Sequence, residues 1–300
     1  MNNISGNAIK FSSEWVIDIC REREGSFKSL IGDVIHDIKG IMNSEMLFFC
    51  AMSDYFIVDS IIESGRARGI STEIIARYHR QKKPSIPFYS VELQKYTDDS
   101  LYAMHRLRSK YSNLHLLYGN ALDLVPALCS RHNTSVAIID GPKGKYALQL
   151  ASLLLINPGV KAVFIHDAHK DTEVRRAIEE IFPLNFSSDD DGFVREFQSM
   201  DAPCWEVYQH WEGYRNWGPY RRGDKEMSSY GPTLSMLVNT TEGIDRTDEV
   251  REFFNLPSMK QKSRLAKSTA IRSIIQFPPR KWNEIPLFFK YYSSLIKPKQ

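Results

Sequence analysis

Two aspartates, each standing directly after a run of aliphatic and β-branched residues, mark the densest concentration of chemistry in this 300-residue sequence. Asp140 follows the run 135–139 and opens Asp140-Gly141-Pro142-Lys143-Gly144, and Asp167 follows the run 161–165 with His166 and His169 beside it. Carboxylates and imidazoles gathered at the ends of neighbouring strands could take the proton of a weakly acidic hydroxyl. They could equally hold a divalent cation that lowers the pKa of that hydroxyl. In the first case Asp140 is the expected base; in the second Asp140, Asp167 and His169 are the expected ligands. Lys143, Lys145 and Lys170 fall along the same edge and could pair with an anionic group on a partner molecule. A plainer reading also applies, in which strand-end aspartates cap the loops that follow and the histidines are surface residues.

A second concentration is the stretch YFIVDSIIESGRARGIST, residues 55–72. Its apolar run ends at Glu63, small residues follow at Gly65, Ala67 and Gly69, and Ser71 and Thr72 open a helical pattern continued by Ile74, Ile75 and Tyr78. That order predicts a strand, a tight loop and a helix. The outward-pointing amides at such a helix start favour an anionic or nucleotide-like ligand. The spacing is not that of a dinucleotide G-x-G-x-x-G, because Ala67 stands in the middle and Arg66 and Arg68 are interleaved. Further on, a short strand 88–91 ends at Glu92, where a carboxylate could accept hydrogen bonds from ribose hydroxyls. A strand 115–118 runs into Gly119, Asn120 and Ala121.

The elements that must position these residues alternate. Helical spacing is expected over 27–41, 44–52, 98–110, 122–129, 146–155 and 173–182, with the strands between the later ones. Successive β-α units imply a parallel, doubly wound sheet with ligands at the carboxyl ends of its strands, the edge where Glu63, Glu92, Asn120, Asp140 and Asp167 all fall. After the helix 173–182 the chain passes through an acidic turn, 189–191, and an aromatic segment to a strand at 233–238. A late strand reached by a long excursion suits a sheet closed by an antiparallel hairpin better than a second dehydrogenase half.

With Glu63-x-Gly65-x-Ala67-x-Gly69-x-Ser71-Thr72, Glu92, Gly119-Asn120-Ala121 and Asp140-Gly141-Pro142 in this order, residues 54–240 resemble class I S-adenosylmethionine-dependent methyltransferases. Locally, Asp140-Gly141-Pro142-Lys143-Gly144 followed by Val163-Phe164-Ile165-His166-Asp167, Lys170 and Glu173 is similar to the plant glucuronoxylan 4-O-methyltransferase family. Ala67 departs from the glycine many relatives carry, and Lys170 from the plant family's arginine. The resemblance implies an α/β fold with a doubly wound, mostly parallel seven-stranded sheet (Rossmann-like) and a methyltransferase domain over 55–240; outside it, apolar spacing and charge suggest a helical N-terminal extension over 1–54 and a basic helical tail over 241–300, the tail having no counterpart in that family. The resemblance implies S-adenosyl-L-methionine as cofactor, held by Glu63, Gly65, Ala67, Gly69, Ser71, Thr72, Glu92, Asn120, Ala121 and Asp140, with Asn120 near the adenine. It further implies O-methylation of a sugar or glycan hydroxyl, with Asp140, Asp167, His169 and Lys143 catalytic and a divalent metal ion at Asp140, Asp167 and His169 as an accessory. Other readings are a small secondary metabolite as acceptor, a catalytically inert cofactor-binding or interaction module, and a nicotinamide-dependent oxidoreductase.

The segment CWEVYQHWEGYRNWGPYRRG, residues 204–223, interleaves three Trp and three Tyr with Arg215, Arg221 and Arg222. Flat aromatic faces suit sugar rings and arginine forks suit acidic substituents; the same residues could instead form a small core packing the segment onto the sheet. Stacking on nucleic-acid bases is disfavoured by the charge distribution. The last 42 residues, 259–300, carry a net +9, while the residues before them carry −6. In that tail, two apolar stripes (Leu265, Ile271, Ile274, Ile275, then Trp282, Ile285, Phe288, Phe289, Tyr292, Leu295, Ile296) suit docking on the domain, a homo-oligomer contact or an anionic membrane surface. Cys20, Cys50, Cys129 and Cys204 are too scattered for a structural zinc site or a disulfide framework. With no leader-like start and no apolar run of membrane-spanning length, a cytoplasmic protein, at most peripheral to a membrane, is expected.

Overall fold

The computed structural model describes residues 12–107 and 110–256. Two helices, α1 (Ser13–Ile31) and α2 (Asn43–Tyr55), precede an alternation of β1 (Ser60–Ser64), α3 (Ile70–Lys82), β2 (Phe88–Glu92), α4 (Asp98–Leu107), β3 (Leu114–Tyr118), α5 (Ala121–Cys129), β4 (Ser135–Ile139), α6 (Lys145–Leu155), β5 (Val160–Ile165) and α7 (Glu173–Ile181). Then come β6 (Asn185–Ser187), α8 (Asp191–Phe197), a short 3-10 turn, α9 (Ala202–His210), a two-stranded hairpin of β7 (Arg221–Arg222) and β8 (Lys225–Glu226), β9 (Ser235–Val238) and α10 (Thr247–Phe253).

The main sheet has seven strands in the order β3-β2-β1-β4-β5-β9-β6. Strands β1 to β5 are mutually parallel, and β9 lies antiparallel between β5 and β6. The expected doubly wound, mostly parallel sheet with an antiparallel late strand is therefore present. Its order reverses between β1 and β4, so a crevice opens where the loops after these two strands diverge.

Alternation along the strands supplies two cores. On β4, Val136 and Ile138 point to the layer of α1, α2 and α3, while Ala137 and Ile139 point to that of α5, α6, α7 and α10. The first layer is rich in aromatics, with Phe48 in edge contact with Phe164, Phe186 and Phe193 at 5.3, 5.3 and 5.6 Å. Residues 12–254 belong to one compact unit, and α1 and α2 pack into the core on one face of the sheet.

Several expected boundaries move. The first helix spans Ser13–Ile31, not 27–41: Ser12 accepts a hydrogen bond from the Trp15 amide, and Val16, Ile19, Cys20, Phe27 and Ile31 recur on one buried face. The apolar run at Tyr55 ends a helix and does not open the strand. β1 starts at Ser60, where the Asp59 carboxylate accepts the Asn133 and Thr134 amides at 3.2 and 3.1 Å and pins the strand start. The acidic turn is a helix start, with Asp190 accepting the Gly192 and Phe193 amides at 3.0 and 3.1 Å. β6, α8, α9 and the β7-β8 hairpin were not marked by periodicity. The basic segment 259–300 lies outside the described residues.

Candidate active site

The loop between β1 and α3 owes its shape to two glycines with different tasks. Gly65, at φ +85°, approaches Gly141 so closely that a Cβ would collide with the backbone after β4. Gly69, at φ +79°, caps α3 where a Cβ would stand 2.9 Å from Leu107 Cδ1 on α4. Ala67 adopts a left-handed φ of +43° without being glycine. Beneath the loop, the Glu63 carboxylate is buried and accepts hydrogen bonds from Ser71 Oγ (2.7 Å), Thr72 Oγ1 (2.6 Å) and Ser90 Oγ (2.5 Å). Burial raises its pKa against the pull of those hydroxyls. Glu63, Ser71 and Thr72 thus bind one another and tie β1 to α3.

Glu92, at the end of β2, accepts the Arg66 and Ala67 amides on Oε2 at 3.0 and 3.1 Å and the Leu93 amide on Oε1 at 2.8 Å. Arg66, an interruption of the glycine pattern in sequence, is a buried brace. Its guanidinium donates to Ser90 O at 2.7 Å and lies 4.8 Å from the centre of the Tyr118 ring. Asn120 caps α5 by accepting the Leu122 amide at 3.1 Å.

Above this loop lies a cavity of about 350 Å³. Gly65, Ala67, Glu92, Asp140, Gly141, Lys143, His166, Asp167 and His169 form its floor. Among the sequence-derived candidates, Glu63, Gly69, Ser71, Thr72, Asn120 and Ala121 are not part of its described walls.

The floor holds a tightly paired cluster. Asp140 Oδ1 receives His166 Nδ1 at 2.5 Å and the Lys143 ammonium, which also reaches Asp167 Oδ2 at 2.6 Å. Asp167 sits at φ +62°, a left-handed conformation that aspartate tolerates and that turns the chain after β5. Burial disfavours charge on His166, but Asp167 and Asp140 outweigh it and push its pKa up to about 10. Burial likewise opposes ionisation of both aspartates, yet His166 and Lys143 hold them below the usual carboxylate range. Lys143, against its own burial, is raised by the same two carboxylates. At neutral pH the cluster holds two carboxylates, one imidazolium and one ammonium, and none of the four is poised to accept a proton.

The second histidine differs. His169 is buried, its Nδ1 donates to Gly231 O at 3.0 Å, and its Nε2 has no hydrogen-bond partner among the described residues, lying 3.8 Å from Asp167 Oδ1. The Gly231 carbonyl assigns the Nδ1–H tautomer. Burial lowers the His169 pKa and Asp167 only partly restores it, so the ring is neutral. The Gly231 segment is anchored in turn: Ser229 Oγ donates to buried Asp189 Oδ2 at 2.8 Å, and Arg175 Nη1 donates to Asp189 Oδ1 at 3.0 Å.

Ligand atoms of Asp140, His166 and Asp167 come within 4.8 Å of one another, so His166, and not the expected His169, joins the two aspartates. In this arrangement the Lys143 ammonium bridges the two carboxylates and His166 Nδ1 faces Asp140, so a divalent cation at these three residues would have to displace the ammonium and take the place of the imidazole proton.

The aromatic segment does two things at once. The bodies of Trp205 and Tyr208 pack with Met42, Val194, Cys204 and Tyr230 in a small core, while Trp205, Tyr208, Tyr214 and Trp217 also wall the cavity. Tyr208 and Trp217 stack with centroids 5.5 Å apart and planes 16° from parallel, and the Arg222 guanidinium lies 5.2 Å from the Trp217 ring centre. Arg221 and Arg222 line the cavity from the hairpin. Lys170 is turned away, donating to Asp189 O at 3.2 Å.

No family model matches this chain, and no curated protein sequence matches it. Solved structures that resemble it include the O-methyltransferase TomG of Streptomyces achromogenes in complex with SAM, at 14% identity over 77% of this chain and 93% of that one, with a TM-score of 0.39. An O-methyltransferase from Bacillus cereus in complex with SAH resembles it at 12% identity over 77% and 94%, with a TM-score of 0.39. A SAM-dependent O-methyltransferase from Thermotoga maritima does so at 12% over 71% of each chain, with a TM-score of 0.41. At this identity and superposition the likeness adds nothing to what the strand order itself establishes, a doubly wound, mostly parallel Rossmann-like sheet.

Proposed function

We propose that this protein is an S-adenosyl-L-methionine-dependent O-methyltransferase acting on a hydroxyl of a sugar or glycan, with His169 as general base. The observation that carries the reading is the buried, neutral His169 on the wall of the cavity beside the β1-α3 loop, whose Nδ1–H is committed to Gly231 and whose buried Nε2 has no hydrogen-bond partner among the described residues. The cavity suits the cofactor. Its volume of about 350 Å³ is in the range of small-molecule sites. Gly65, Ala67 and Gly141 leave backbone accessible, and Glu92 retains acceptor capacity for a diol.

When bound, the cofactor supplies an electrophilic methyl group on a sulfonium. The chain's own residues orient the acceptor and handle its proton. His169 Nε2 takes the hydroxyl proton, and Asp167, 3.8 Å away, stabilises the imidazolium that results. Lys143 holds Asp167 in place and has a further N–H to offer the acceptor oxygen. Asp140 is already engaged by His166 and Lys143, so the expected role of base passes to His169. Trp217, part-exposed on the cavity wall with Tyr208 stacked on one face, offers aromatic surface for a sugar ring.

The test is methyl incorporation from labelled S-adenosylmethionine into a panel of sugars, glycans and phenolic metabolites, alongside calorimetric binding of the cofactor and of NAD. Incorporation into a glycan or sugar, lost in His169→Asn with cofactor affinity retained, is expected. A chelator should leave the rate unchanged. Incorporation into phenols alone overturns the acceptor assignment, binding without any turnover indicates an inert module, and binding of NAD alone overturns the cofactor.

A further inference from the structure

The residues before β1 show no chemistry in sequence, yet α2 delivers a buried carboxylate to the far side of the site's imidazolium. Glu45, in the first turn of α2, is 1% exposed. Its Oε2 accepts the Met42 amide at 3.1 Å and stands 3.6 Å from His166 Nε2, while its Oε1 accepts Ser188 Oγ at 3.4 Å. On the opposite edge of the same ring, Nδ1 meets Asp140 at 2.5 Å. His166 Nε2 has no hydrogen-bond partner among the described residues, so the carboxylate facing its proton is that of Glu45.

Burial raises the Glu45 pKa and the facing His166 opposes that rise; a buried imidazole held between two acidic side chains in this way is fixed in one orientation. With an uncharged group at position 45, the Nε2 proton would lose its charged partner, which an amide oxygen replaces only in part, and the ring would turn or lose the proton more readily. Either change releases Asp140, and with it the orientation of Lys143. Glu45 also caps its own helix through the Met42 amide, and α2 is packed into the core beneath β5, so the carboxyl group is held rigidly where it meets His166.

We propose that Glu45 is a positioning residue of the active site, fixing Asp140 and Lys143 through His166 and so making the N-terminal helix α2 part of the catalytic apparatus. Its rate readout rests on the methyltransferase reading; its stability readout does not.

The experiment is a double-mutant cycle in the full-length protein with Glu45→Gln, His166→Gln and the two combined, measuring kcat, KM, cofactor affinity and thermal melting. Glu45→Gln should lower kcat by about tenfold to a hundredfold with cofactor Kd within about twofold, as a displaced catalytic group does. In the His166→Gln background the same substitution should add less than about twofold. Glu45→Asp, which keeps the charge but withdraws it, should retain more of the rate than Glu45→Gln. Equal fold-losses in both backgrounds, a wild-type rate for Glu45→Gln, or a poorer Glu45→Asp would each overturn the assignment. If the wild type transfers no methyl group, the functional reading fails by itself and melting decides: a Tm loss from Glu45→Gln that shrinks in the His166→Gln background supports the coupling, and an unchanged loss overturns it.

Discussion

His166 and His169 are three residues apart in sequence, yet their surroundings drive them to opposite protonation states. His166 faces Asp140, Asp167 and Glu45, and despite burial its pKa is pushed up to about 10. His169, with Gly231 O on one nitrogen and Asp167 at 3.8 Å from the other, is dominated by burial and stays neutral. The stability linkage has opposite signs for the two. A raised folded pKa means that His166 contributes stability fully present below the unfolded value of about 6.5 and lost as pH climbs toward 10. A depressed pKa means that protonation of His169 in the unfolded chain erodes stability as pH falls below about 6.5. Melting temperature measured from pH 5 to 10 should therefore fall at both ends, and His166→Gln should flatten the alkaline limb while leaving the acid limb. An alkaline limb that survives in His166→Gln would place the responsible group elsewhere. Sequence alone marked the aspartates, because they end apolar runs. It could not rank the histidines, since which ring finds a carboxylate and which a carbonyl depends on Gly231 and Glu45, residues 62 and 121 positions away.

At the scale of elements, the strand-end residues were legible and their duties often were not. Glu63, Ser71 and Thr72 stand in the right loop, but the hydroxyls satisfy the carboxylate before any ligand arrives. A buried carboxylate must find donors, and the first turn of the following helix supplies the nearest ones. Gly69 similarly reads as a ligand-binding glycine, whereas in the fold it keeps α3 against α4. Gly69→Ala should thus destabilise the protein by about 1–3 kcal/mol, from left-handed backbone strain and the contact with Leu107. Denaturant unfolding gives the stability, and a loss of cofactor affinity at undiminished stability would contradict the packing role. The segment 185–226 was least legible because its strands are two or three residues long and its aromatics serve both a core and a cavity wall, leaving no clean period.

For the molecule as a whole, the parallel, doubly wound sheet followed from counting β-α units, but the share of the core supplied by the residues before β1 did not. Their apolar positions read as a brace because nothing in a single sequence says which sheet face an outlying helix covers. In the fold, Phe48 is fully buried among Phe164 of β5, Phe186 of β6 and Phe193 of α8, joining elements that lie far apart in the chain. Removing that ring deletes contacts to three elements at once and leaves a void that close-packed neighbours fill only in part. Phe48→Ala should therefore lower global stability by about 3–5 kcal/mol. Urea unfolding should show a lower midpoint with an unchanged slope, because the same surface is exposed when the whole unit opens. The distinguishing result is the shape of the transition. If α1 and α2 were a separable extension, Phe48→Ala would melt them in a first phase and leave the sheet's own transition in place; a single transition shifted to lower denaturant is the expected outcome, and two phases would refute the shared core.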